Sequence, residues 1–150
     1  MRCSLGAIGV VLLLAASGCS ISDTDDGAGL IRDAKTRYAT LPTFPGATET
    51  DHSTTVGRGG GDGGGPVTSA GVLHDYRLPD TATVRAVARF YERRLTATGW
   101  RLHERLPGLP HHRAGPTLNF KTCRYSLSVN LDGGYDHALE VSLVKDAQAP

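Results

Sequence analysis

The sequence lacks the short motifs that mark most enzymes. It contains no Gly-x-Ser-x-Gly nucleophile elbow, no phosphate-binding loop with its lysine, and no carboxylate pair at a recognisable spacing. His103-Glu104 begins like a zinc-binding His-Glu-x-x-His motif, but Pro107 stands where the second histidine is needed. These absences predict a protein that is not an enzyme and that carries no metal and no cofactor.

The chain also has almost no net charge, since 16 basic and 15 acidic side chains leave +1 with the histidines neutral. A neutral chain offers no electrostatic reason to bind nucleic acid, so no nucleic-acid partner is expected. The largest basic group, Arg89, Arg93 and Arg94, stands beside Glu92 in a predicted helix. This arrangement is typical of a solvated helix face.

Long apolar runs are missing as well, apart from one that extends from Leu5 to Ala16. It is shorter than the roughly 20 residues that cross a bilayer as a helix. Arg2 precedes it, and Ala16-Ser17-Gly18-Cys19 follows with small residues before a cysteine. This pattern resembles the signal peptide and lipobox of bacterial lipoproteins.

That resemblance implies that residues 1–18 are a signal peptide and that Cys19 is the lipidation site, carrying acyl chains such as palmitate. The mature protein would then be anchored at the extracytoplasmic face of the cell membrane, with the membrane as a partner through its lipid. Only three cysteines are present, so Cys3 would leave with the signal peptide. Cys123 would keep no intramolecular partner, which predicts a buried small side chain and no disulfide.

Composition divides the rest of the chain. Small, polar and acidic residues follow Cys19, which predicts a flexible stalk over residues 19–37, a folded domain over 38–146 and a tail over 147–150. Seven glycines occupy the nine positions 57–65. They match a dinucleotide-binding pattern formally, but a threonine-rich segment precedes them and Pro66 follows, so we expect a disordered hairpin loop.

Apolar periodicity predicts the elements of the domain. Segments 48–56 and 67–78 suit strands, and the final third alternates with period two. Between them lies an amphipathic helix that Asp80 or Thr81 would cap and Gly99 would end. Its apolar stripe consists of Val84, Val87, Ala88, Tyr91 and Leu95. We therefore predict a two-layer α+β fold, with one helix packed on an antiparallel sheet in the order β-β-α-β-β-β, and with Trp100 folded back over the stripe.

A second resemblance rests on Phe44-Pro45-Gly46-Ala47 and on Phe90-Tyr91, Leu95 and Gly99-Trp100 around the helix end. With these residues, the domain is similar to small secreted lipoproteins of high-GC Gram-positive bacteria. The shared positions are core and turn positions. The resemblance implies no activity, and no catalytic residue follows from it.

The predicted function is therefore a lipid-anchored extracytoplasmic lipoprotein with a non-catalytic binding or accessory domain. Its partner would be an envelope protein that docks on the polar face of the sheet. The candidate residues of this surface are Ser126, Ser128, Asn130, Glu140 and Ser142.

Two alternatives stay open. One is an envelope hydrolase that uses loop residues His111, His112 and Asp132 or Asp136. The other is a structural spacer of the envelope. Adjacent histidines in an extended loop point to opposite sides and rarely share one ion. A metal site that includes the distant His74 or His137 is a further alternative.

Overall fold

The computed structural model describes residues 27–59, 66–108, 115–131 and 138–147. Within these ranges the chain forms two helices and six strands. In chain order they are α1 (Gly27–Tyr38), β1 (Thr48–Arg58), β2 (Val67–Arg77), α2 (Val84–Ala97), β3 (Arg101–Leu106), β4 (Thr117–Lys121), β5 (Tyr125–Leu131) and β6 (Ala138–Asp146). The strands form one sheet in the order β1-β2-β6-β5-β4-β3, and every neighbouring pair is antiparallel.

The predicted fold, with one helix and the order β-β-α-β-β-β, is wrong. The described residues follow the order α-β-β-α-β-β-β-β, with a helix before the first strand and a sixth strand. β6 inserts between β2 and β5, so the chain leaves β2 through α2 and enters β3 at the opposite edge of the sheet. The hydrophobic pattern of a single strand does not show which strands lie beside it. A crossover of this kind therefore cannot be predicted from that pattern.

Helix α1 occupies much of the segment predicted to be a flexible stalk. From Gly27 onward the chain is helical, and Leu30, Ala34 and Tyr38 recur every four residues as a buried stripe. This stripe packs on β1, β2 and β6. The stripe is a weak apolar signal, because the small Ala34 lies at its centre among charged residues, and this explains why the sequence suggested a stalk. The signal peptide, Cys19 and the rest of the stalk lie outside the described residues.

Helix α2 follows its prediction closely. Val87, Tyr91 and Leu95 are buried, whereas Val84 at the first turn is 43% exposed. The cap is Thr83 rather than Asp80 or Thr81, because its hydroxyl accepts from the Ala86 amide at 3.2 Å.

Gly99 ends this helix as predicted, with φ +89° and a bond from the Trp100 amide to the Leu95 carbonyl. The Trp100 side chain is 2% exposed and belongs to the core. The expected burial of this residue is therefore confirmed.

The segment between α1 and β1 makes a tight turn against α2. The Ala47 amide donates to the Phe44 carbonyl at 3.0 Å, with Pro45 and Gly46 at the two central positions. Gly46 has φ +78°, as a type II turn requires. The turn presents the Phe44 ring edge-on to Phe90 of α2, with ring centroids 5.3 Å apart.

Both helices cover one face of the sheet, and the other face is left open. Buried and partly exposed residues alternate along β5 and β6, as expected for a sheet packed on one side. The one charged residue of the buried set, Lys145, is 3% exposed on the covered face. Its Nζ donates to Oδ2 of Asp33 in α1 at 2.6 Å, which joins the helix to β6.

Cys123 departs from its prediction in both respects. It is exposed and lies between β4 and β5, and it is disulfide-bonded. The two other cysteines, Cys3 and Cys19, lie outside the described residues. Sequence reasoning excluded a disulfide only because it removed both of these cysteines from the mature chain.

The predicted loop and tail are only partly described. Gly57 and Arg58 belong to β1 rather than to the glycine loop, and residues 60–65 lie outside the described ranges. The Ala147 amide donates to the Thr68 carbonyl at 2.8 Å, so this residue of the predicted tail is bonded to β2.

A substitution in α1 tests whether this helix is part of the core. Leu30→Ala should lower the free energy of unfolding by about 2–5 kcal/mol, because it removes a fully buried side chain. Arg32→Ala, on the exposed side of the same helix, should change it by less than about 0.5 kcal/mol. Urea unfolding of both variants measures these values, and equal small effects would place α1 outside the cooperative fold.

Candidate functional site

A pocket of about 420 Å³ lies between the end of α1, the segment after it and the β1–β2 hairpin. This volume is within the usual range for small-molecule sites, roughly 300–1,000 Å³. Part of its lining is apolar and comes from the segment after α1 and from β2, α2 and β6: Leu41, Val72, Tyr91 and Val141. The polar part comes mainly from α1, β1 and β2: Tyr38, Glu49, His52, His74 and Tyr76.

Glu49 contacts two histidines of this pocket at once. Its Oε1 lies 3.1 Å from Nδ1 of His52 in a hydrogen bond. Its Oε2 lies 3.0 Å from Nδ1 of His74, at an angle outside hydrogen-bond geometry. The neighbouring imidazoles, His74 foremost, hold the pKa of the Glu49 carboxyl below its usual value. We call Glu49, His52 and His74 the Glu–His cluster.

A bulge in β1 brings the cluster together. His52 is paired with His74 across the hairpin, and the register shifts between Glu49 and Asp51. In a regular strand, residues three positions apart point to opposite faces of the sheet. One extra residue corrects this offset, so Glu49 and His52 both face the pocket.

Aromatic rings and hydroxyl groups continue the polar wall. The Tyr38 ring stacks on His74 with centroids 4.1 Å apart and planes inclined by 12°. His52 also stacks on His74, at 5.4 Å. The hydroxyls of Tyr38 and Tyr76 are 3.2 Å apart and share a hydrogen bond. Burial, assisted by this bond, raises the pKa of the Tyr38 phenol, which therefore stays protonated.

This arrangement suits the binding of an organic molecule through hydrogen bonds. When one tyrosine hydroxyl donates to the other, the second proton remains available to a ligand. Glu49 lies beside Nδ1 of both imidazoles and leaves Nε2 of each ring as a second polar atom. A zinc site needs three or four converging protein ligands, and the described residues contain no such group of histidine, cysteine, aspartate or glutamate side chains.

The structure places the predicted docking residues Ser126, Ser128, Asn130, Glu140 and Ser142 together on the open face of the sheet. Ser128 lies opposite Ser142, and Asn130 lies opposite Glu140. Some of their polar atoms are already used within the sheet. Ser128 donates to Oδ1 of Asn119 at 2.7 Å, and Thr117 donates to Oδ1 of Asn130 at 3.3 Å.

Two carboxylates face each other on this open surface. Glu140 lies opposite Asp75 of β2, and partial burial followed by this like charge raises the pKa of Glu140. Like charges at directly opposed positions destabilise a pair of strands. The pair makes this part of the open face acidic.

The remaining candidates from the sequence cannot be placed. Cys19, His111, His112, Asp132, Asp136 and His137 lie outside the described residues. Sequence reasoning singled out none of the pocket's polar residues except His74. The available signal was the alternation of His52 with Thr54 and of His74 with Tyr76 along two predicted strands, which sets these side chains on one face of each strand.

The lowered pKa of Glu49 predicts how stability depends on pH. A carboxyl group with a lowered folded-state pKa stabilises the fold above its unfolded value of about 4.5, and loses this contribution as the pH falls through the folded value. Glu49→Gln should therefore lower the melting temperature at neutral pH, and the difference from wild type should shrink below about pH 4.5.

A double-mutant cycle provides the control for this experiment. His74→Phe keeps a ring beside Tyr38 but removes the largest cause of the pKa shift. In that background Glu49→Gln should have a smaller effect with a weaker pH dependence. Thermal unfolding followed by circular dichroism measures all four proteins. An unchanged effect of Glu49→Gln would show that the two side chains are not coupled.

No described helix has the length and apolar character needed to span a membrane. In comparisons with known proteins, no protein family, no curated protein and no solved structure matches this chain. The arrangement of side chains in the pocket and on the surfaces therefore carries the functional conclusion.

Proposed function

We propose that this chain is a lipid-anchored extracytoplasmic lipoprotein whose folded domain is a non-catalytic binding module, and that its ligand occupies the pocket beside α1. The observation that carries the binding role is the pocket of about 420 Å³, where the Glu–His cluster and the two paired tyrosines converge. The proposed anchor is Cys19, and the proposed location is the outer face of the cell membrane.

The lining of the pocket defines the chemistry of the ligand. Val72, Val141 and Leu41 offer apolar contacts, and the exposed ring of His52 offers a flat surface. Lys35 and Glu49 contribute one charge of each sign, so the pocket has no strong preference for a charged ligand. The ligand is therefore a small, uncharged molecule with a flat apolar body and at least one group that hydrogen-bonds a tyrosine hydroxyl.

The pocket also distinguishes a binding module from a structural spacer. A spacer needs only a stable fold, whereas this domain places the Glu–His cluster and the paired hydroxyls of Tyr38 and Tyr76 in one concavity. Perturbed ionisable groups that line a concave surface favour a functional site. The predicted docking surface on the open face then serves a second partner, an envelope protein.

A neutral fluorescent probe tests the pocket. N-phenyl-1-naphthylamine is uncharged, flat and apolar, and its emission should rise on binding with one site per chain. Thr54→Trp should abolish this rise, because Thr54 lines the pocket and the larger ring fills it. Thr117→Trp adds the same side chain outside the pocket, in β4, and should leave the titration unchanged. Binding that survives Thr54→Trp would contradict the assignment.

The anchor is tested by the fate of Cys19. The wild-type protein should fractionate with membranes, and mass spectrometry should find a diacylglyceryl group on Cys19, since two acyl chains hold a protein stably. Cys19→Ala should abolish processing and acylation. A substituted protein that is still processed and membrane-bound would contradict the lipoprotein proposal.

The disulfide at Cys123 makes this measurement sharper. One sulfur atom cannot form both a disulfide and a thioether, and Cys3 would leave with the signal peptide, so under this proposal an intramolecular disulfide at Cys123 belongs to the unprocessed chain. The same mass spectra, recorded without reduction, therefore decide between two products. A Cys19 peptide with the lipid mass supports the anchor, and a Cys19 peptide linked to Cys123 overturns it.

A further inference from the structure

The charges of this nearly neutral chain are separated between its two layers. Helix α1 contains three basic residues and one acidic residue, and α2 contains four basic residues and one acidic residue. The helix layer therefore carries a net charge of +5, while the whole chain carries only +1. The net charge of the chain suggested that no partner is attracted electrostatically. The helix layer, however, has enough positive charge to attract an anionic partner.

Three arginines form a row on the exposed side of α2. Arg85, Arg89 and Arg93 follow one another at four-residue intervals and are all exposed. They are opposite the buried stripe that packs on the sheet, and the row is about 12 Å long. We call these residues the arginine row.

The row is not neutralised within the described part of the protein. Like charges at i and i+4 repel each other and destabilise a helix. The one acidic residue of α2, Glu92, binds Arg105 of β3 instead. Arg93 donates from Nε only to the Arg89 carbonyl, and no carboxylate of the described residues is ion-paired with any member of the row. The repulsion among the three arginines destabilises α2, and a polyanionic partner would offset this destabilisation.

We infer that the arginine row docks the helix layer on the anionic phospholipid headgroups of the membrane that holds the protein. This inference rests on the proposed lipid anchor. The seven residues between Cys19 and Gly27 reach at most about 25 Å, so an anchored α1 stays close to the headgroups. Guanidinium groups match phosphates well because their donors are arranged in a fork.

Docking in this orientation has a consequence for the open face of the sheet. With the helix layer against the membrane, the open face, with its Glu140–Asp75 pair, points away from the bilayer. Its acidic side chains are then kept from headgroups of the same sign. The candidate docking residues on that face stay accessible to an envelope protein.

Energy transfer from the single tryptophan, Trp100, tests the inference. The membrane-extracted protein is reconstituted into vesicles with dansyl-labelled lipid, made from phosphatidylcholine alone or with phosphatidylglycerol added. Transfer should be higher with phosphatidylglycerol and should return to the neutral-lipid value in about 1 M salt, where screening is nearly complete. Replacing the arginine row by glutamine should remove the lipid dependence.

A matched control removes the same charge elsewhere. The triple variant Arg77→Gln, Arg101→Gln, Lys121→Gln replaces three exposed basic residues outside the helices, and it should keep the response to phosphatidylglycerol. Equal transfer in both lipids, or equal losses in the two triple variants, would overturn the inference.

Flotation separates a failure of the anchor from a failure of the row. An unanchored protein does not float with phosphatidylcholine vesicles, which contradicts the proposed anchor alone. Its partition onto phosphatidylglycerol vesicles still tests the row, because each arginine near an anionic surface changes partition about fivefold and three change it about a hundredfold. Equally tight binding to a single-stranded oligonucleotide would show a general polyanion surface and would overturn the lipid assignment.

Discussion

The ion pair between Asp33 and Lys145 fixes the position on which the pocket depends. A lysine ammonium group that is 3% exposed is costly unless an opposite charge satisfies it. Asp33 supplies that charge at 2.6 Å, and thereby fixes where α1 crosses β6. This position sets the location of Tyr38, at the end of the same helix, against His74 and Tyr76. Without α1, the β1–β2 hairpin would offer a flat surface instead of a pocket.

The sequence predicted α2 and most strands because their apolar residues are large and regularly spaced. The burial of Tyr91, Leu95 and the alternating residues of β5 follows from local spacing alone, without reference to distant segments. Helix α1 escaped prediction because Gly27 and Gly29 weaken its first turn and Ala34 is a weak apolar signal. The stripe can be recognised as buried only when β2 and β6 are known to lie beneath it. The hydrophobic pattern of the chain does not give the position of β6 in the sheet.

The candidate site was harder to predict than the fold for a geometrical reason. His52 and His74 meet through a hairpin register, and Glu49 joins them only because of the bulge before Asp51. Strand periodicity assigns Glu49 and His52 to opposite faces of the sheet. The sequence pattern therefore predicts that these two side chains do not meet, although they are hydrogen-bonded. Net charge was uninformative in a similar way, because a sum over the chain hides how charges divide between layers.

The same bulge makes the site fragile in a particular way. β1 is an edge strand that pairs only with β2, and its first half carries both Glu49 and His52. An insertion of one residue beside Thr50, with the bulge kept, would turn Glu49 toward the opposite side while leaving the pairing of Thr54 with Val72 in place. An insertion in this half-strand would therefore alter recognition without unfolding the domain, and a descendant gene could change its ligand through the insertion of a single codon.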